Sequence, residues 1–308
     1  MPREPATTPQ IAGYFQDGRR LFTAQGDRKL TIWQPPSNRF STIECASPIL
    51  AATCGGRNGE GLVIATDDRK IRFHPLPEGR ASYGTIDLEW EVPEHLAMKG
   101  IWLAVATNAG LRAYNTANPN DSKRIALSGP ARLPLTAMAF APEGPIIAGL
   151  TTKRQLDTWD LSKNTLTSRV NLPADELLGL AFGPQSGQAV VFGRRAGRLE
   201  YYLFEQIGRS EFRTVNGPDD ATAIATLGIG NGIAFAGKNR LGVFDPTVEP
   251  ISIRAVARLP NFAVRMFSVS RDGRRVLCRL AEGISFTLDA DAPAFSGTER
   301  ESDKQNGP

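Results

Sequence analysis

The 308-residue chain contains only two histidines, His74 and His95, and three cysteines, Cys45, Cys54 and Cys278. This scarcity removes most side-chain chemistry. Nucleophilic catalysis of the Ser-His-Asp kind needs an imidazole beside the nucleophile, and neither histidine stands in a motif that supplies one. His74 reads as a packed strand residue, and His95, in Glu91 to Gly100 (EVPEHLAMKG), as a surface-loop residue. The three thiols have no metal-ligand spacing and no Cys-x-x-Cys. Cys45 and Cys278 read as small apolar strand residues, whereas Cys54, before Gly55-Gly56, reads as an inert loop thiol.

Further absences narrow the field. No stretch approaches a membrane-spanning apolar run, and the first ten residues, MPREPATTPQ, lack the apolar core of a secretory signal. A protein of the reducing cytoplasm is expected. The acidic clusters Asp67-Asp68, Asp219-Asp220 and Asp289 with Asp291 fit turns, where Asp accepts backbone N–H bonds, better than a metal site. The glycine-rich Leu227 to Gly232 runs into the strand-like IAFAG rather than a helix that would hold a phosphate. The expectation is therefore no catalytic set, no metal and no cofactor.

What the chain has instead is a repeat. Trp33, His74, Tyr114, Trp159, Tyr202, Phe244 and Thr287 close similar strand-like runs at spacings of 41, 40, 45, 43, 42 and 43 residues. The windows Leu135 to Asp160, Leu177 to Leu203 and Val264 to Leu288 share one grammar. An apolar run breaks at a Pro-x-x-Gly or Asp-Gly turn, a second short apolar run follows, and a polar turn leads into an alternating third run. Pro142, Glu143 and Gly144, or Arg271, Asp272 and Gly273, carry the φ restriction, side-chain acceptor and positive-φ tolerance of a tight reversal. Helical signals are nearly absent, and 30 Gly and 22 Pro punctuate the whole chain instead of marking a linker.

A four-stranded unit repeating every 40 to 45 residues is the period of a propeller blade. Together with Gly26 to Trp33 (GDRKLTIW), Thr66 to His74 (TDDRKIRFH), Trp159-Asp160 and Phe244-Asp245, it makes the chain resemble the WD40-repeat family, as a divergent member. There is no Gly-His dipeptide, so the family's buried His, Ser or Thr, Asp and Trp network is not expected in that form. The fold class that follows is all-β, a single seven-bladed β-propeller with four-stranded antiparallel blades. Residues 1–10 form an N-terminal segment, 11–289 the propeller and 290–308 a polar, disordered tail. The closing outer strand is sought in Ala6 to Thr8 or Phe295 to Thr298; otherwise the last blade is poorly completed or the chain belongs to a longer one.

The resemblance implies that the turns from second to third strand open on one face, the top face, around the central channel. There the repeats offer Arg28 and Lys29; Arg69 and Lys70; Asn108; Lys153 and Arg154; Arg194, Arg195 and Arg198; Lys238 and Arg240; and Glu282. Solvation alone places cations in such turns. A sharper reading is a basic ring that steers a protein partner with an acidic or phosphorylated surface. Nucleic acid is disfavoured because Trp33, Trp90, Trp102, Tyr114, Trp159 and Tyr202 read as strand residues rather than exposed stacking platforms. A second basic patch, Arg19, Arg20, Arg271, Arg274 and Arg275, lies at first-to-second-strand turns of the first and seventh repeats, which ring closure makes neighbours. The expected role is a non-enzymatic scaffold for protein–protein interaction. The alternative is a propeller enzyme or small-ligand binder with its site at the central channel, which requires a pocket with convergent polar groups.

Overall fold

The computed structural model describes residues 11–15, 20–24, 28–34, 39–55, 61–75, 84–118, 123–125, 134–183, 187–226, 232–238, 240–247, 252–258, 264–269, 275–280 and 285–289. They form seven antiparallel sheets in sequence order. Blade 1 is β1 (Ile11–Tyr14), β2 (Leu21–Ala24), β3 (Lys29–Gln34) and β4 (Arg39–Glu44). Blade 2 is β5 (Ile49–Gly55), β6 (Gly61–Thr66), β7 (Lys70–His74) and β8 (Gly84–Asp87). Blade 3 is β9 (Pro93–Lys99), β10 (Trp102–Thr107), β11 (Gly110–Asn115) and β12 (Lys123–Ile125). Blade 4 is β13 (Leu135–Phe140), β14 (Ile146–Thr151), β15 (Gln155–Asp160) and β16 (Thr165–Asn171). Blade 5 is β17 (Glu176–Phe182), β18 (Ala189–Arg195), β19 (Arg198–Phe204) and β20 (Arg213–Val215). Blade 6 is β21 (Ala223–Thr226), β22 (Ile233–Ala236), β23 (Arg240–Asp245) and β24 (Ser252–Arg258). Blade 7 is β25 (Val264–Val269), β26 (Arg275–Leu280) and β27 (Ser285–Asp289).

Each first strand touches the first strand of the next blade, and β25 touches β1. The ring is closed, with the first strands around its axis. The seven spaced anchors all fall on third strands, as the period requires. Six sheets are four-stranded, but blade 7 has three strands among the described residues. Six blades meet the four-stranded expectation, and both candidate closing segments for blade 7, with 1–10 and 290–308, lie outside the described residues.

The second strands explain the apolar grammar. β6 is buried along its whole length and β10 and β14 at all but their first residue, because neighbouring blades cover both faces. A strand covered on both sides has no solvent face to alternate with. The cores accordingly sit between blades: Phe22, Ile32, Ile49 and Ile64 join blades 1 and 2, and Val63, Phe73, Leu103 and Val105 join blades 2 and 3. Further round, Leu156, Val191, Tyr202 and Phe204 join blades 4 and 5, while Phe192, Tyr201, Phe235 and Phe244 join 5 and 6. Burying each such side chain stabilises the ring by about 1.5–3 kcal/mol.

Two local devices matter for the site. The turn before β14 has Gly144 at φ 63°, the left-handed residue expected from Pro142 to Gly144. Beneath it, the Lys99 ammonium at the end of β9 donates to the carbonyls of Ala141 (2.6 Å), Pro142 (2.7 Å) and Gly144 (2.9 Å). Nothing in the local sequence of Lys99 announces this clamp between blades 3 and 4. The second device is a bulge near the start of a first strand, recurring in β5, β9, β13, β17 and β25. The extra residues are Leu50, Glu94, Thr136, Leu178 and Arg265.

Candidate functional site

The first strands begin where second strands end, as the pairing of Pro93 with Thr107 shows. The second-to-third-strand turns and the loops that enter each blade therefore share one end of the ring, called here the upper face. On blade 2 the Arg69 amide donates to the Thr66 carbonyl (3.0 Å) and Arg69 adopts φ 61°. Blade 4 repeats the turn, with Arg154 on Thr151 (3.0 Å) at φ 63°. Both guanidinium groups then reach into the next connection, Arg69 to the Glu89 carbonyl (3.3 Å) and Arg154 to the Ala174 carbonyl (3.4 Å). These two members of the basic ring tie loops down as well as facing water.

Acid–arginine pairs recur on blades 2, 3, 4 and 6. Glu91, in the loop entering blade 3, accepts from Thr107 Oγ1 of β10 (2.9 Å) and from Arg112 Nε of β11 (2.8 Å). Asp68 takes both Arg72 nitrogens (2.5 and 3.2 Å) and the Thr66 hydroxyl; the Arg72 bond above all holds its carboxyl down at about 2. Asp157, fully buried, takes Arg169 at 2.7 and 2.6 Å. Asp220 takes Arg240 at 2.7 and 3.1 Å, and the guanidinium also lies 5.4 Å from the Phe235 ring centre. Arg240, expected in the ring, is thus drawn into an ion pair, and Asp220, read as a backbone-capping turn residue, is its partner.

Other ring members stay outward. Arg28, Lys29, Lys153, Arg194, Arg195, Arg198 and Lys238 are exposed, and Lys70 is half-buried. Arg194 approaches the exposed Glu176 at 3.7 Å. Such a surface pair contributes about 0–1 kcal/mol. Among the described residues no ion pair engages Lys153, Arg195, Arg198 or Lys238. Arg195 and Arg198 flank the two-residue turn Ala196-Gly197, at φ 47° and 77°, whose Ala196 amide donates to Asp175 Oδ2 (2.7 Å). Asn108, in place of a cation on blade 3, accepts the Val92 amide (3.0 Å). Glu282 lies outside the described residues.

The second patch is only partly described. Arg20 stacks 5.0 Å from the Phe15 ring centre, and Arg275 opens β26, while Arg19, Arg271 and Arg274 lie outside the described residues. One aromatic is not where the sequence suggested. Trp102 opens β10 as expected, but Trp90 stands in the turn before β9 and is 60% exposed. It belongs to the upper face rather than to a strand. It read as a strand residue because EWEVPEH has the polar–apolar rhythm of a strand.

The channel gives a second correction. His95 is a wall residue of β9, paired with Ala106, and not a loop residue. It stays open to the channel, yet the enclosing wall pushes its pKa below the ordinary histidine value, with Glu94 pulling more weakly upward. Beside it opens a cavity of roughly 340 Å³ walled by Ile11, Leu50, Leu96 and Met138. Its polar groups are Glu94, His95 and Thr136. His74 is buried on β7 as expected, its pKa lowered by burial first and by Arg72 second. Cys54 lies within β5 and not in a loop, half-buried like Cys45, whose thiol burial pushes up. Among the described residues no cluster of His, Cys, Asp and Glu has the makings of a metal site, and no helix is long and apolar enough to cross a membrane.

No protein-family model matches the sequence, and no curated protein does. Solved structures match the fold. A chain of the Mitotic Checkpoint Complex aligns with TM-score 0.74 at 12% identity, covering 92% of this chain and 87% of that one. The Myceliophteria thermophila Cps50 (Swd1) β-propeller domain aligns with TM-score 0.71 at 11% identity, over 92% and 97% of the two chains. Kuenenia stuttgartiensis Hydrazine Synthase gives TM-score 0.74 at 11% identity, over 93% and 97%. At such identities the likeness is one of fold, and the fold is a β-propeller.

Proposed function

We propose that the protein is a non-enzymatic, cytoplasmic platform whose upper face binds a protein segment with an acidic or phosphorylated surface. The observation that carries this reading is the cluster Lys153, Arg195, Arg198 and Lys238 on three successive blades, exposed and outside the ion pairs that absorb Arg240. A rigid ring presents these heads with little backbone ordering left to do on binding. One structural neighbour, a chain of the Mitotic Checkpoint Complex, is part of an assembly, which supports an interaction role for a propeller of this kind. The propeller itself, bounded by 11–289, is taken as one binding unit.

The test uses the full chain and two labelled peptides, one of ten glutamates and one of serines and glycines with two phosphoserines. Binding should appear at low salt and weaken steeply as salt screens it. Reversing Lys153, Arg195, Arg198 and Lys238 together to Glu should weaken both peptides by roughly tenfold or more. Equal binding by that variant sinks the reading. Arg240 is left out of the set because its reversal would strand Asp220.

A second reading has its own observation, the channel cavity with Glu94, His95 and Thr136. It treats the ring as a small-ligand binder, and it does not depend on the cations of the rim.

A further inference from the structure

Resting on that second reading, we propose that the channel cavity binds a small aliphatic amine, with the ammonium head at Glu94 and the methylene stem against the apolar wall. A volume of roughly 340 Å³ falls at the small end of ligand sites, which run from about 300 to 1,000 Å³. It holds a short chain, not a nucleotide or a folded peptide.

The sign of the ligand follows from the lining. Among the described residues that line it, Glu94 is the one acid and none is a lysine or arginine. No ion pair engages its carboxylate among the described residues. An anion would meet that carboxylate, and the two like charges would repel. A neutral apolar guest would strip water from it without compensation. A cation does neither.

The head group follows from the acceptors. With the Glu94 carboxylate, the His95 imidazole, whose pKa its surroundings lower, and the Thr136 hydroxyl line the cavity. Thr136 spends its hydrogen on the Leu150 carbonyl (3.4 Å), which leaves its lone pairs for a donor. An alkylammonium has three N–H donors, and three acceptor-bearing side chains are among the lining residues. The same protein already satisfies an ammonium with three acceptors where Lys99 caps the turn of blade 4.

The bulge explains how a charge comes to be there. A bulge re-aims the extra residue and recurs next to functional sites. Leu50, Glu94 and Thr136 are the bulge residues of three consecutive blades, and all three line the cavity. The device recurs in five of the seven first strands, and on blade 3 it carries a carboxylate.

The experiment is calorimetric titration of the full chain with hexylammonium, hexanol and hexanoate at neutral pH. A fourth probe is 6-aminohexanoate, which carries the same amine with a carboxylate at the far end. Saturable binding of either amine, absent for hexanol and hexanoate, is the expected result. Glu94→Gln should weaken it at least about tenfold, the size of one 1.4 kcal/mol interaction, while Glu176→Gln on the upper face leaves it unchanged. Ala137→Leu, which narrows the cavity without touching the charge, should also abolish binding. No saturable amine binding, equal binding of hexanol, or an unchanged affinity in Glu94→Gln overturns the proposal. Acidic-peptide binding measured on the same Glu94→Gln sample keeps the two readings apart, since it tests only the rim.

Discussion

Blades 3 and 5 build the same reversal from second to third strand and handle charge in opposite ways. On blade 3, Glu91, Thr107 and Arg112 close a network inside the loop, and the turn outside offers Asn108 and no cation. On blade 5 one carboxylate, Asp175, steadies the turn through a backbone amide, and Arg195 and Arg198 point outward. The difference is where the arginine sits. Arg112 lies within strand β11, next to the acid of the entering loop, whereas Arg195 and Arg198 occupy the strand ends, past the reach of Asp175. Between these two blades, the arginine inside the strand is part of the fold, and the two at the tip stay available for a partner.

The hardest blow to that comparison would be a cheap loss of Arg112. Its removal leaves Glu91, 5% exposed, as a buried charge without a counter-ion, and such losses cost about 3–5 kcal/mol. Arg112→Ala should therefore lower the urea midpoint strongly, and Glu91→Gln placed on top should recover part of the loss. A change below about 1 kcal/mol would mean that blade 3 does not depend on its network.

Lys99 extends the comparison to the opposite end of the ring, where a cation is again consumed by the fold. Three carbonyls that converge on one ammonium lose their donor together in Lys99→Met, although the stem still packs. The expected cost is about 2 kcal/mol, read by urea denaturation, because hydrogen bonds to charged groups contribute about 1.5–3 kcal/mol. Lys153→Met, at an exposed turn, is the matched control and should change little.

Blade 2 can be probed by acid. The Asp68 carboxyl titrates at about 2 in the folded chain, below the 3.8 of an unperturbed aspartate. A depressed folded value means that the unfolded chain takes up the proton first. The stabilisation is present above about pH 4 and drains away as pH falls towards 2. Discounted for the partial exposure of the pair, it amounts to about 1–2 kcal/mol. Asp68→Asn should lose that much at about pH 5 and almost nothing relative to wild type at about pH 2. An equal loss at both would assign the effect to packing.

What could be read along the chain was what repeats along it. The third-strand anchors, the turn before β14 and the buried second strands follow from spacing and residue type alone. What could not be read depends on a partner from another strand or blade. Arg240 and Asp220 stand 20 residues apart, and Lys99 meets carbonyls 42 to 45 residues away. His95 looked like a loop residue because a bulge interrupts the alternation of β9 just before it. Trp90 was misplaced for the converse reason, since its surroundings alternate although no strand is there.

The smallest stability effect carries the functional side of the comparison. Arg195→Ala and Arg198→Ala remove exposed side chains with no ion-pair partner among the described residues, so each should change stability by less than about 0.5 kcal/mol. The same pair of changes should weaken an acidic peptide at low salt, acting mainly on its association rate, because rim charges steer encounter. Arg112→Met combined with Glu91→Gln is the reverse case: the upper face keeps its outward charges, so peptide association should hold while stability moves. Stopped-flow rates beside urea midpoints on the same variants read both quantities at once. If the blade 5 variants lose stability and keep their rate, the outward arginines are structural after all, and the distinction between an arginine within a strand and one at its tip fails.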